Sequence, residues 1–274
     1  MSIKPGIRWI IPVFLVITCF HDCFASGSEV PVLMYHEITD SKTPGDQTRI
    51  SLLRFEEQMD WLAENHYNSL SLDELIAFMQ GASVPDKSVV LTFDDGWKSQ
   101  LQVLPILKRH GFKAAFFVFP GKGIEDPYGD YLDWEELQGI SNDPDFEVQA
   151  HSMAHPWDKD SNLVTWVEGT PSGKNRSDAE YELKQSRAIL EQRLGVPVRY
   201  FAWPAGYFNE ALIRMATETG YEALFTILEG VTRQGDDTLE IRRLFINGSC
   251  GLEGFQQTLR EYREVSCQEN RPVR

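Results

Sequence analysis

A chain of 274 residues, 42% hydrophobic and 24% charged, has enough material for a full core, as one large α/β domain or two smaller ones. Its formal net charge of -15 argues against nucleic acid or an anionic membrane as the main partner, because neither phosphate neutralisation nor a polybasic anchor is available. Neutral or cationic ligands remain.

The first residues, MSIKPGIRWIIPVFLVITCFHDCFA, place Lys4 and Arg8 before an apolar run from Trp9 to Phe20 and end on small residues at Ala25. That is the layout of a secretory signal peptide over 1–25, and it predicts a secreted or periplasmic protein with one domain over 26–274. An uncleaved anchor is the alternative, although the run is short for a membrane span. Loss of Lys4, Arg8 and Asp22 with the leader moves the net charge by one unit, to -16. Cleavage also removes Cys19 and Cys23, leaving Cys250 and Cys267, either a disulfide in an oxidising compartment or two free thiols.

Extended and helical signals then alternate. Pro31–Tyr35 reads as a strand, and Phe55, Met59 and Leu62 mark one face of a helix. Ser71 and Glu74 form a capping box ahead of the next helix. Ser88–Phe93 is a buried strand, Gln100–His110 a helix stopped by Gly111, and Ala114–Phe119 another buried strand. A helix over Trp134–Ile140, a strand over Phe146–Ala150 and a long helix over Ser177–Leu194 follow. Between the last two lies a polar insertion, Asp158–Arg176, whose Trp166 is a candidate for a substrate-facing loop. Tyr200–Trp203, Ala223–Ile227 and Ile241–Ile246 are strands, with helices over Asn209–Thr219 and Leu252–Tyr262.

Strands that alternate with helices imply a parallel sheet, here a (β/α) barrel of about seven strands, with a doubly wound open sheet as the alternative. In either, chemistry belongs at the C-terminal ends of the strands. The residues found there are His36 after VLMY, Asp94 and Asp95 after VVLTF, His151 after FEVQA, and Pro204-Ala205-Gly206 after YFAW.

Two adjacent carboxylates resist joint ionisation unless a positive charge compensates one of them. His151-Ser-Met-Ala-His155 offers two imidazoles, which a helical turn would bring to one side. With one aspartate they make two nitrogens and an oxygen, the donor count of an open catalytic metal site. The cation would neutralise that aspartate and leave its neighbour free to accept a proton from a water whose pKa the metal lowers.

TFDDG, HSMAH and RYFAWPAG, in that order, resemble the polysaccharide deacetylases of carbohydrate esterase family 4, the NodB-homology family. The resemblance runs from about Val30 to Phe255 and implies a distorted (β/α) barrel. It makes Asp94 the catalytic base and Asp95, His151 and His155 the ligands of a divalent cation, zinc foremost, with nickel, cobalt or iron also compatible.

Two departures stand out. The third motif of the family has an Arg and a Tyr where this chain has Ala202 and Ala205. Ala205 still offers a backbone N–H to an oxyanion. For the missing Arg, which orients the base, the candidates are Arg243 and, as an alternative, Arg199. The late histidine that acts as general acid in the family is also absent, since no histidine follows His155. His36, in PVLMYHEI, is similar to the early Tyr-His pair of the poly-β-1,6-N-acetylglucosamine deacetylase branch, where the order of elements is rotated, and is the candidate acid.

The resemblance thus implies hydrolysis of N-acetyl groups on an N-acetylglucosamine-containing polysaccharide, with Trp203 and Trp157 as walls for a sugar ring. Competing readings are a carbohydrate-binding protein of the same fold without turnover, or a hydrolase of O-acetyl esters or small amides. His21, His66 and His110 lie in the leader or on helices and receive no role.

Overall fold

The computed structural model describes residues 28–41, 46–123, 129–169, 173–265 and 267. The leader expected over 1–25, with Cys19, Cys23 and His21, lies outside the described residues. Among those described, no helix is long and apolar enough to cross a membrane.

Seven parallel strands carry the fold: β1 (Val32–Tyr35), β2 (Ser88–Asp95), β3 (Ala114–Val118), β4 (Phe146–Ala150), β5 (Tyr200–Ala202), β6 (Ala223–Phe225) and β7 (Leu244–Phe245). Their order in the sheet is β6-β5-β4-β3-β2-β1-β7, and a short strand, Asn68–Ser69, pairs with the start of β2. The last predicted strand is shorter than its apolar run, because Ile241–Phe245 serves both edges. Ile241 makes an isolated parallel bridge to Phe225, and only Leu244 and Phe245 enter the ladder, beside Leu33 and Met34. This partial closure produces a distorted barrel and not a doubly wound sheet.

Alternation along each strand sorts residues to two faces. Leu33, Leu91, Phe93, Phe116, Val148, Phe201 and Leu224 join the large core beneath the helices. Val32, Val90, Ala115, Phe117, Tyr200, Ala202, Ala223 and Phe225 join a second core inside the barrel.

Apart from a single turn at Pro120–Gly123, the helices among the described residues are α1 (Leu52–Glu64), α2 (Leu72–Met79), α3 (Leu104–His110), α4 (Trp134–Ser141), α5 (Leu163–Glu168), α6 (Arg176–Leu194), α7 (Glu210–Thr219) and α8 (Leu252–Glu261). The Ser71–Glu74 capping box forms, and Leu72, Leu75, Phe78 and Met79 of α2 pack into the inner core. Pro105 lacks an N–H and sits in the first turn of α3, so the predicted helix over Gln100–His110 divides into a 3-10 turn, Lys98–Val103, followed by α3. The polar insertion is not a plain loop. Asn162 caps α5, and Trp166 is buried with its indole N–H donated to Ser161 Oγ at 3.0 Å, so it faces the core and no substrate.

Cys250 and Cys267 form a disulfide that ties the approach to α8 to the chain beyond it. Closing a loop of this length stabilises by about 3 kcal/mol. The Cys250→Ser/Cys267→Ser double variant should lose that amount in urea denaturation, and an unchanged midpoint would show that packing alone holds the segment.

Candidate active site

Parity along the barrel strands places the first group of side chains. Val32 and Val90 face inward, so Asp94, two positions past Thr92, lies on the inner side at the C-terminal rim. Asp94 is buried, and Arg243 forks onto it, Nη1 to Oδ1 at 2.7 Å and Nη2 to Oδ2 at 2.8 Å. Arg243 leaves the barrel seam and fills the interior. Its Nε donates to the Thr226 carbonyl at 2.8 Å, and its guanidinium lies over the Phe117 ring. Burial alone would raise the Asp94 pKa. The Arg243 charge, with His151 and His36 nearby, more than reverses this and holds the carboxyl below its usual range. Arg199 is not part of this group, because it pairs with Asp73 and Glu222 at the opposite end of the strands.

Asp95 would face outward if the pleat continued. Instead its φ is 73° and that of Gly96 is 72°, so the chain turns and returns the carboxylate to the rim. Asp95 Oδ1 stands 3.5 Å from His151 Nε2 and 3.3 Å from His155 Nε2. One donor atom from each of the three residues lies within 4.8 Å of the others, the arrangement a single cation requires. Burial opposes the Asp95 charge, but the hydrogen bond from His151 and the nearby imidazoles hold its pKa far below normal.

The two histidines are not on a helix. His151 directly follows β4, and the chain then bends through Ser152 (φ 68°) and His155 (φ 51°). Four non-glycine residues of the rim, Asp95, Ser152, His155 and Ala205, thus hold left-handed backbone, a conformation that persists where surrounding contacts over-determine it. Glu182 of α6 is one such contact: its Oε2 accepts from the N–H groups of Met153 at 2.8 Å and Ala154 at 2.7 Å. Gly121 supplies another, donating its N–H to the Met153 carbonyl so closely that a Cβ there would sit 2.3 Å from that oxygen.

The ring nitrogens have distinct tasks. His151 Nδ1 donates to the Ala202 carbonyl at 2.8 Å, which leaves Nε2 to face Asp95. Burial, and then the charge of His151, push His155 down to about 4, so its imidazole is neutral and available as a ligand at neutral pH.

Sequence reasoning missed three supports of this group. Trp97 donates its indole N–H to Asp95 Oδ2 at 3.1 Å and stacks on Tyr131 at 4.7 Å. Tyr131 contacts Phe119, which in turn stacks on His155 at 5.2 Å, so one aromatic row braces both the aspartate and the second histidine. Glu182 and Gln100, whose Nε2 donates to the carbonyls of His36 and Asp94, also went unassigned, although Glu182, next to the apolar positions Ala179, Leu183 and Leu190 of α6, is a polar residue on a core stripe and so a legible signal.

His36 follows β1 on the inner parity and reaches the same rim, where its charge would act on Asp94, Asp95 and His155. Ala205 is exposed in the turn after β5. Trp157 is 65% exposed, two residues past His155 and at the start of a small hairpin with Ser161–Asn162. Trp203 is different. It is fully enclosed among the residues beneath the helices and stacks on Phe208, so it is core and not a sugar wall.

The family profile described as polysaccharide deacetylase matches residues 81–224. YxkH of Bacillus subtilis (strain 168), which carries a provisional polysaccharide deacetylase name, is 25% identical over 229 residues, 83% of this chain and 74% of that protein. The poly-β-1,6-N-acetyl-D-glucosamine N-deacetylase of Escherichia coli (strain K12) is 24% identical over 271 residues, spanning 88% of this chain but only 39% of the relative. Among solved structures, IcaB from Ammonifex degensii superposes with a TM-score of 0.70 at 26% identity, covering 81% of this chain and 93% of that one. A profile that spans more than half of the sequence, together with a barrel that superposes on IcaB, places this chain in the polysaccharide deacetylase family.

Proposed function

We propose that the protein is a metal-dependent hydrolase that removes N-acetyl groups from an N-acetylglucosamine-containing polysaccharide outside the cytoplasm. The observation that carries this reading is the meeting of Asp95 Oδ1, His151 Nε2 and His155 Nε2 beside an Asp94 whose two oxygens are both held by Arg243. Family membership and the names of the E. coli relative and of IcaB support the substrate class. The Cys250–Cys267 disulfide supports an oxidising compartment.

The donor set of one carboxylate and two imidazoles fits a zinc-like ion, with nickel, cobalt or iron also accommodated. When bound, such an ion supplies Lewis acidity that polarises a carbonyl oxygen and acidifies water. Asp94, kept ionised by Arg243, accepts the proton of the attacking water. The N–H of Ala205 stabilises the oxyanion that forms on the acetamide carbonyl. His36 protonates the glucosamine nitrogen as the carbon–nitrogen bond breaks and acetate departs. Trp157 offers an exposed aromatic face to the apolar side of a sugar ring.

Acetate release from defined N-acetylglucosamine oligomers tests this directly. Turnover should vanish with a chelator and return on addition of zinc, nickel, cobalt or ferrous ion. Intact oligomers under every metal would favour a binding protein, and faster cleavage of O-acetylated sugars would move the substrate to esters.

A further inference from the structure

Gln100 is fully buried in the 3-10 turn that follows the paired aspartates, and the chemistry above makes no use of it. Its Nε2 donates to two main-chain carbonyls, that of His36 at 2.9 Å and that of Asp94 at 2.7 Å. These belong to the residues read as acid and base. One position earlier, Ser99 Oγ accepts the Ile38 N–H at 3.2 Å, so a single turn grips the segment 36–38 at two points.

The ladder shows why such a grip matters. β1 and β2 pair through Tyr35 and Phe93 and no further, while β2 continues beside β3 as far as Asp95 and Val118. Asp94 is therefore held by the ladder on its other side and by Arg243. His36 stands one residue past the end of its own ladder. Its ring has an edge contact with Phe245 at 5.9 Å, and its Nδ1 is buried with no hydrogen-bond partner among the described residues. The Gln100 amide replaces the missing ladder bond between the two strand ends. Its Oε1 is buried without a partner among the described residues, a cost that an apolar side chain of the same size would avoid. Sites that break a local rule in this way are where function is expected.

We propose that Gln100 is a positioning residue that sets His36 against Asp94, so that its loss impairs proton delivery to the leaving nitrogen and spares attack by water. The inference rests on the reading of His36 as the acid. In the step concerned, the carbon–nitrogen bond of the tetrahedral adduct breaks, its electron pair goes to nitrogen, and the imidazolium of His36 supplies the proton.

The test compares an N-acetylglucosamine oligomer with 4-nitrophenyl acetate, whose phenolate leaves without a proton. Gln100→Leu and the more adaptable Gln100→Met should lower kcat on the oligomer by roughly 10- to 100-fold, the penalty of a small misplacement. KM should stay within about twofold, kcat on the aryl ester within about threefold, and zinc per chain unchanged, the last two also reporting that the variants fold. In a His36→Ala background, Gln100→Leu should have no further effect, because a residue that acts through another is not additive with it. Equal losses on both substrates, or multiplying losses in the double variant, would overturn the role of Gln100 alone. Full oligomer turnover by His36→Ala would overturn the acid itself, and the inference with it.

Discussion

An Asp94→Asn variant is expected to hydrolyse N-acetylglucosamine oligomers about 10³-fold more slowly than wild type while binding the same zinc per chain. The amide keeps the volume of the carboxylate and has no basicity, so the attacking water loses its proton acceptor. Metal binding survives because the three candidate ligands are other residues: Asp95 Oδ1 lies 3.5 Å from His151 Nε2, whereas the nearest Asp94 oxygen lies 4.0 Å away and is engaged by Arg243. The same change leaves the buried guanidinium of Arg243 without its counter-charge, a loss of about 3–5 kcal/mol. For a chain of this size that corresponds to a fall in Tm on the order of 10 °C, so rates are compared well below the transition. Turnover within tenfold of wild type would place the base elsewhere. Loss of zinc would make Asp94 a ligand.

Much of this site was legible because parallel strands obey simple rules. Apolar runs announced the strands, and the strand-end rule collected His36, Asp94, Asp95, His151 and Ala205 before any geometry was known. Period-two alternation then accounts for His36, Asp94 and His151 all facing inward. What alternation cannot supply is a broken pleat. Asp95 and His155 reach the cation position only through left-handed backbone, which the residue types do not announce. Trp203 failed for the opposite reason: one residue past β5 it looked like a rim residue, yet it keeps the parity of Phe201, which turns its ring under the helices. The supports around the motifs were the least visible. Trp97, Gln100 and Glu182 act through one or two hydrogen bonds each, whose partners depend on how turns and helices seat against strand ends. Arg243 was found by asking what replaces an absent residue, and it lies, like His36, outside the 81–224 stretch that the family profile matches.

Arg243→Met tests the consequence of that placement most severely. Arg243 and Asp94 are both essentially without solvent contact, and the guanidinium satisfies both carboxylate oxygens at once. Methionine fills much of the space and offers no donor, so the carboxylate keeps only the imidazoles of His151 and His36 as nearby positive groups. In the wild type the depressed Asp94 pKa contributes stability that is present above the unfolded value of about 3.9 and is lost as the pH falls through the lower folded value. Burial is already the largest single influence on this carboxyl, and removing the guanidinium takes away the strongest of those that oppose it, so the folded pKa is expected to rise above the unfolded one, which reverses the sign. The carboxyl then opposes folding progressively as the pH climbs from about 4 towards its raised pKa. The gap between wild type and Arg243→Met should therefore be small near pH 4 and grow to about 3–5 kcal/mol at neutral pH, as read from denaturation midpoints. Activity should follow the same logic, with kcat at neutral pH at least about 100-fold lower and the acidic limb of the rate profile displaced to higher pH. Arg243→Lys should recover part of the stability but little of the rate, because an ammonium supplies one point of attachment where the base is held by two. A pH-independent difference in stability would mean that the ion pair contributes packing alone, and that the basicity of Asp94 is set by something other than Arg243.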